Sequence, residues 1–347
     1  MKKGFKIVIV VLCVLLIAAI AATLFFVKLA QERQAVVEAK KAEIVALCMP
    51  AFSVAYSNAD AYAPAATNVK TAQTILEAYE IETETTKILV RDARAHLEAL
   101  TENPLLNYDE AALAAVVSDV LAGQNGNWSY CIKIPGTAFY VEQNNRPMQA
   151  ASTIKLFNMV TLFDEIEKGN LTMDGATEAR MEAMITVSSN PDSNEIVRTI
   201  GKGNFAAGAK KVTAYAHALG CADTQEEHML YDEKVLTPGE NLTSVRDCAD
   251  VLEKLYLGKC VSKAADAQML EILKKQTRRF KIPMGLPKGT VVANKTGENS
   301  KVELDVGIIY APKCDYILCI GVTEFGNTAV RKTISEVSEA VYAYFNA

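Results

Sequence analysis

The amino-terminal part of the chain begins with one long apolar run. Residues 7–27 contain no charged side chain, and the run has about the length that a helix needs to cross a bilayer. Three lysines precede the run and one follows it, which predicts a cytoplasmic N-terminus, a single-pass anchor over 1–29 and an extracytoplasmic remainder. A cleaved signal peptide ending near residue 21 is the alternative, although apolar residues continue past that point.

Residues 30–105 favour helix, with interruptions at Pro50 and Pro64. Nothing in this stretch indicates catalysis, so we predict a helical stalk or small helical domain that spaces the rest of the chain or contacts a partner. The sequence does not identify that partner. Pro104 marks the expected end of the stretch.

The hydrophobic pattern changes after residue 105 and predicts a mixed domain over 106–347. A helical face is followed by two strand-like runs, "WSYCIKI" and "AFYVEQ", around a Pro-Gly turn. A helix over 153–168 and a mostly helical middle, 171–285, precede three β-rich runs and a closing helix. We therefore predict an α+β fold in which a five-stranded antiparallel sheet, flanked by the terminal helices, lies beside an all-helical lobe.

Composition and charge exclude several classes of function. The net charge of -5 and the pI near 5.5 argue against binding to nucleic acid, and no block of like charges is present. The three histidines stand in no ligand spacing with the cysteines, so we expect neither a metal nor another cofactor. The eight cysteines include no CxxC pair, and buried free thiols are favoured over a disulfide framework.

One serine and one lysine in "MQAASTIKLF" could be a nucleophile and its base. Ser152 stands three residues before Lys155, a spacing that puts both side chains on one face of a helix. A serine hydroxyl needs a base to become a nucleophile, and no histidine lies near the motif. Taken alone the spacing is weak evidence, because Ser152 could equally be a helix N-cap.

Two further segments strengthen this interpretation. "VSSNPDSNEIV" contains the sequence SSN at 188–190, and "VVANKTGEN" contains KTG at 295–297. The order S-x-x-K, S-D-N and K-T-G is the signature of class A β-lactamases and penicillin-binding proteins. Residues 106–347 therefore resemble the serine β-lactamase and penicillin-binding protein family, and most of all its class A-like branch. The resemblance implies a β-lactamase/transpeptidase-like fold and an acyl-serine mechanism.

The first motif supplies the proposed nucleophile and base. Ser152 would attack the substrate, and Lys155 would take its proton. A lysine normally titrates near pH ~10.4, so burial or a second cation must lower the pKa of Lys155 before it is neutral near pH 7. Lys295 would face Lys155 across the cleft and could provide that repulsion.

The resemblance assigns the second motif to proton transfer and substrate binding. It implies that Ser188 relays a proton to the leaving nitrogen and that Asn190 binds a substrate amide. Ser189 replaces the family's usual aspartate. Because that aspartate mainly supports the loop, we expect its loss to change rigidity more than chemistry.

The third motif completes the expected site. The resemblance implies that Lys295 and Thr296 hold the substrate carboxylate, and Gly297 lets the strand backbone approach it closely. It also implies an oxyanion hole formed by the backbone N–H groups of Ser152 and Glu298. A helix N-terminus at Ser152 would favour the same negative charge.

The segment between the second and third motifs departs from the family. Class A enzymes carry E-x-x-L-N there, with the glutamate as deacylation base, whereas this chain has E-x-x-L from Glu227 and then Tyr231. Counting back from "NLTSV" gives His228 instead of Glu227. Ser152 and Ser188 are also closer in sequence than is typical of class A enzymes. Glu227 is our candidate base, on weaker grounds than the other residues.

Three functions fit the sequence. The first is a membrane-anchored, extracytoplasmic class A-like β-lactamase. The second is a D-Ala-D-Ala carboxypeptidase or penicillin-binding protein acting on peptidoglycan stem peptides. The third is a non-catalytic wall-binding or sensor module, against which the intact Ser152, Lys155 and Lys295 count.

Overall fold

The structure is a computed structural model in which the described residues are 2–53, 62–81, 83–101, 108–230, 239–326 and 329–346. The chain divides into two compact units, 1–106 and 107–347. This division lies one residue from the boundary predicted between the helical stretch and the mixed domain. Pro104 itself lies outside the described residues.

The first unit is built from helices that bury one another. In its described part, their bounds are α1, Lys2–Cys48, α2, Tyr62–Ala78, and α3, Glu84–Thr101, with a 3-10 turn at Met49–Ser53. Pro64 stands in the first turn of α2, where its missing N–H removes no helical hydrogen bond. The core between the helices consists of small and aliphatic side chains, including Ile44, Cys48, Val69, Ala72, Val90, Ala93 and Leu97.

The structure does not support the predicted membrane anchor. In the part of the chain that it describes, no helix has the length and apolar character required to cross a bilayer. The apolar run 7–27 lies within α1, but the side chains of 7–15, 17 and 18 are outside the described residues. The anchor stays a prediction from the sequence.

The second unit is built on the five-stranded antiparallel sheet that the sequence predicts. Among its described residues, the strands are β1, Asn127–Lys133, β2, Tyr140–Gln143, β3, Met148–Gln149, β4, Leu242–Thr243, β5, Val291–Glu298, β6, Val302–Tyr310, and β7, Tyr316–Thr323. The main sheet has the order β2–β1–β7–β6–β5, so the hairpin from the start of the domain pairs with the three strands from its end. β3 and β4 form a separate two-stranded ladder, which the sequence did not predict.

Helices surround the sheet. Those that the structure describes are α4, Glu110–Leu121, α5, Ile154–Glu167, α6, Gly175–Thr186, α7, Asn190–Ile200, α8, Phe205–Ala218, α9, Val245–Tyr256, α10, Lys263–Lys274, and α11, Val330–Asn346. The terminal helices α4 and α11 pack together, and α11 covers β6 and β7. Helices α5 to α8 form the predicted helical lobe, and α9 and α10 join it to the sheet.

Helix α5 is the centre of the lobe. Eleven of its fourteen residues are buried, and it packs against α6, α7, α8 and α10. A helix buried on nearly every face lies inside the protein, and here the buried set includes the polar residues Lys155, Asn158 and Thr161. Its N-terminus, which carries the first motif, is therefore held rigidly beside the sheet.

The described cysteines pack as small apolar residues. All seven with described side chains are buried and free of disulfide bonds: Cys48, Cys131, Cys221, Cys248, Cys260, Cys314 and Cys319. Burial raises the pKa of the Cys131 and Cys248 thiols to about 12, so these thiols stay protonated at neutral pH.

Candidate active site

Ser152 lies in a short 3-10 turn, Ala151–Thr153, that leads into α5. The turn is anchored on both sides: Ala150 N–H donates to the Asn241 carbonyl at 2.8 Å, and Thr153 N–H donates to the Ala150 carbonyl at 3.0 Å. Ala151 has a φ of +44°, a conformation that non-glycine residues seldom adopt. The helix cap is Thr153, so Ser152 is not the N-cap of α5.

Lys155 is the centre of the site and is fully buried. Its ammonium donates to Ser152 Oγ at 3.0 Å, to Ser188 Oγ at 3.1 Å and to Asn190 Oδ1 at 2.6 Å. A further bond of 2.7 Å joins it to the Ser188 carbonyl. The structure thus brings the first and second motifs together around one amine.

Lys295 reaches the same serine from the sheet. Its Nζ donates to Ser188 Oγ at 2.9 Å and to the Thr296 carbonyl at 2.9 Å. Ser188 Oγ therefore accepts from both lysines, Lys155 on α5 and Lys295 on β5. Two amines that share one hydroxyl can pass protons through it, which is the chemistry expected of a relay.

Burial and neighbouring cations lower the pKa of both lysines. Burial first, and then the Arg278 guanidinium, lower the pKa of Lys155 to about 7, while the carboxylates of Glu226 and Glu298 oppose the shift. Burial, then Lys155 and Arg278, hold the pKa of Lys295 well below its usual value. Arg278 is a cation that the sequence did not indicate, and Lys155 and Lys295, which share Ser188 Oγ, also repel each other. With a pKa of about 7, about half of the Lys155 amines are neutral at pH 7 and can accept the Ser152 proton.

The second motif forms a tight turn at the start of α7. Ser188 has a φ of +62°, which directs both its hydroxyl and its carbonyl to Lys155. Ser189 is the N-cap of α7, and its Oγ accepts from the Asp192 N–H at 3.3 Å. Serine is a preferred N-cap residue, so this substitution for the family's aspartate retains a local structural role.

The third motif packs directly against the Ser152 turn. A Cβ added to Gly297 would lie 2.9 Å from the Ala150 carbonyl oxygen and 3.0 Å from Thr153 Cγ2, so only glycine fits. The next residue, Glu298, lines a cavity of about 240 Å³ together with Ser152 and Asn190. Thr296 is buried in β5, and its Oγ1 has no hydrogen-bond partner among the described residues.

The structure does not bring Glu227 into the Ser152 cavity. Glu227 is exposed, its carboxylate lies against Gly239, and it lines a different cavity that includes His217. His228 and Leu230 line the Ser152 cavity instead. The geometry therefore gives no support to Glu227 as the deacylation base. Tyr231, where the family has asparagine, lies outside the described residues.

Two asparagines fix the segment that contains His228 and Leu230. Asn241 Oδ1 accepts from the backbone N–H groups of Glu227 and His228, at 2.8 and 3.1 Å. Asn194 Nδ2 donates to the Leu230 carbonyl, and Asn194 Oδ1 accepts from the Leu230 N–H, each at 2.9 Å. The backbone of the segment is thus held in place, with a leucine and a histidine facing the cavity.

Two cations near the third motif were not predicted from the sequence. Arg278 pairs with Glu298, and Lys281 is fully buried beneath the sheet strands. Both stand in the "RRFKIP" segment, which precedes the third motif and carries no recognised pattern. The sequence feature that could have indicated these cations is the cluster of three basic residues beside an apolar strand.

A model of the family described as "Beta-lactamase enzyme family" matches residues 110–180 and 176–345, which is more than half of the chain. The chain belongs to the beta-lactamase enzyme family. This result confirms the resemblance inferred from the three motifs, and with it a serine hydrolase with an acyl-serine mechanism. A comparison with curated proteins gave no match.

Solved structures show the same fold at low sequence identity. A β-lactamase from Sphaerobacter thermophilus superimposes with a TM-score of 0.59 and 21% identity, over 69% of this chain and 98% of that one. A β-lactamase from Xanthomonas campestris gives 0.59 and 20%, over 68% and 98%. PBP-A gives 0.61 and 23%, over 68% and 96%. The beta-lactamase/transpeptidase-like α+β fold is confirmed.

Proposed function

We propose that this family member opens the amide bond of β-lactams by forming an acyl-enzyme on Ser152. The observation that carries the proposal is the position of Lys155, whose buried amine lies 3.0 Å from Ser152 Oγ and has a pKa lowered to about 7. A neutral amine at that distance is a competent general base.

The reaction can be written as a series of steps in which each transferred proton has a donor and an acceptor among these residues and the substrate. Ser152 Oγ attacks the lactam carbonyl carbon and gives its proton to Lys155, while the backbone N–H groups of Ser152 and Glu298 stabilise the oxyanion. The carbon–nitrogen bond then breaks, and the leaving nitrogen receives a proton from Ser188. Lys155, 3.1 Å from Ser188 Oγ, returns the proton to Ser188. Water finally hydrolyses the ester.

The substrate carboxylate would be held beside β5. Lys295 and Thr296 remain the proposed contacts, as the resemblance implies, and Arg278 adds positive charge next to Glu298. Asn190 lines the cavity and is the proposed partner of a substrate amide. A solved structure with this fold, a mutant of PBP-A, is an acyl-enzyme complex with penicillin G, which supports covalent capture on this scaffold.

A second function, a D-Ala-D-Ala carboxypeptidase or penicillin-binding protein, is favoured by the position of Glu227. Because this carboxylate lines another cavity, water that reaches the acyl-enzyme lacks the base that the sequence suggested. Acylation would then be fast and release slow. The nucleophile and the intermediate are the same for both functions.

The test is a time course of the full-length protein with a fluorescent penicillin, followed by intact mass and by loss of the lactam ring. Accumulation of hydrolysed drug with little adduct supports a β-lactamase, whereas a stable adduct supports the penicillin-binding function. Ser152→Ala should abolish labelling, and Ser118→Ala, at an exposed serine on α4, should label like the wild type. Labelling of Ser152→Ala would remove Ser152 from its role.

The membrane anchor over 7–27 and the extracytoplasmic location of the catalytic domain rest on the sequence alone. What supports them is the apolar run with its preceding lysines. Recovery of the full-length protein in a washed membrane fraction is the expected result.

A further inference from the structure

Lys281 lies across β5, the strand that carries the third motif, and its neighbour β6. Its side chain is fully buried, and its Nζ donates to the Gly297 carbonyl at 3.1 Å and to the Leu304 carbonyl at 2.8 Å. Gly297 and Leu304 face each other in the strand register. The ammonium thus bonds two backbone carbonyls of the same strand pair.

The backbone beside Lys281 is also fixed. Ser335 Oγ donates to the Lys281 carbonyl at 2.9 Å, and the Ile282 N–H donates to Asp305 Oδ2 at 2.9 Å. These contacts tie the segment to α11 and to β6. Lys281 therefore has one defined position, and its ammonium is held where the two carbonyls meet.

Two carboxylates balance the buried charge. Lys281 Nζ lies 3.2 Å from Glu298 Oε2 and 2.8 Å from Glu303 Oε2. Arg331 pairs with Glu303 at 2.6 Å, and Arg278 pairs with Glu298. A buried ion pair of this kind contributes little to stability compared with apolar residues, so its presence suggests a role for the charge itself.

The Gly297 carbonyl belongs to the peptide group that carries the Glu298 N–H. In a planar trans peptide the carbonyl and the N–H point in opposite directions. A cation bonded to the oxygen therefore lies on the far side from the N–H, which is the proposed oxyanion donor beside Ser152. By withdrawing electron density from the oxygen, the ammonium makes the N–H a stronger donor.

We propose that Lys281 is a positioning residue that orients and polarises the Gly297–Glu298 peptide, so that the Glu298 N–H stabilises the oxyanion formed on Ser152. The inference rests on the proposed function, acylation of Ser152. Lys281 bonds the Gly297 carbonyl, on the side of the peptide opposite to the Glu298 N–H, so it acts through the peptide and not on the substrate. Its effect falls on the transition state and the acyl-enzyme, and not on the first non-covalent complex.

The test uses the carbonyl stretch of the acyl-enzyme as a direct measure of oxyanion-hole strength. Full-length protein is acylated with penicillin that carries ¹³C at the lactam carbonyl, and the infrared difference spectrum reports the ester formed on Ser152. In Lys281→Met the stretch should move to higher frequency, since the ester oxygen accepts weaker hydrogen bonds. The acylation rate constant should fall about tenfold, with the affinity of the non-covalent complex unchanged.

Three further variants separate this role from a structural one. Glu303→Gln retains the contact between Lys281 and Gly297, so its ester stretch should match the wild type. Lys281→Arg retains the cation and should restore most of the wild-type frequency. The double variant Lys281→Met/Glu303→Gln removes one cation and one carboxylate together, which avoids an unpaired buried charge, and it should behave as Lys281→Met does.

The outcomes are distinct. An unchanged stretch in folded Lys281→Met or in the double variant overturns the inference, as does an equal shift in Glu303→Gln alone. Either result leaves the proposed function intact when the wild type forms its adduct. A wild type that neither forms an adduct on Ser152 nor hydrolyses the drug overturns the proposed function and this inference together.

Discussion

The rate of acylation should follow the titration of Lys155, because only the neutral amine can accept the Ser152 proton. Burial and Arg278 lower its pKa to about 7. On that value about 90% of the molecules hold a neutral amine at pH 8, about 10% at pH 6 and about 1% at pH 5. The acylation rate constant should therefore fall roughly 90-fold between pH 8 and pH 5. A lysine with an ordinary pKa would instead give a rate that still rises above pH 9.

The assay is stopped-flow acylation of the full-length protein by a fluorescent penicillin across pH 5–9.5. Arg278→Gln removes a cation that lowers the pKa of Lys155, so the midpoint of its profile should move to higher pH. Arg279→Gln is the matched control, since Arg279 is exposed and does not contribute to the shift. A profile that is flat from pH 5 to pH 8 would refute the assignment of Lys155 as the base. An equal movement in both variants would refute the specific effect of Arg278 on its pKa.

Three other predictions test the site and the core. Gly297→Ala should slow acylation about 10- to 100-fold while circular dichroism shows a retained fold, because its Cβ would lie 2.9 Å from the Ala150 carbonyl; wild-type rates would mean that the strand and turn separate easily. Glu227→Ala should leave the release of drug from Ser152 within about twofold of wild type, and a much larger drop would reinstate Glu227 as the deacylation base. Phe157→Ala should lower the free energy of unfolding by about 3–5 kcal/mol in urea denaturation, since Phe157 is fully buried; a loss below about 1 kcal/mol would contradict the packing of α5.

The sequence by itself determined the fold class and the residues of the three motifs. Alternation and helical periodicity are local properties, so they predicted the hairpin before α5, the three strands of 291–323 and the closing helix. The spacing of Ser152 and Lys155 is likewise local, because helical geometry alone puts both on one face. Motif order then indicated the chemistry, and the family match confirmed it.

Only the tertiary structure decided which groups meet. Lys155 and Lys295 are far apart in sequence, and their convergence on Ser188 Oγ depends on how the lobe packs against the sheet. The same packing turns Glu227 away from Ser152 and brings Leu230 and His228 to the cavity. Counting back from "NLTSV" pointed to His228, but the E-x-x-L pattern pointed to Glu227, and only the folded chain decides between them. The path of this loop depends on hydrogen bonds between segments that are distant in sequence, and not on local backbone propensity.

Electrostatics was the least predictable part of the site. The sequence indicated that burial or a second cation, for which it offered Lys295, must lower the pKa of Lys155, but it could not show that Arg278 also contributes. Nor could it show that Lys281 is buried beneath the Gly297–Glu298 peptide, since lysine is usually exposed. Desolvation and charge–charge interactions depend on distances between distant segments, so they exist only once the chain has folded.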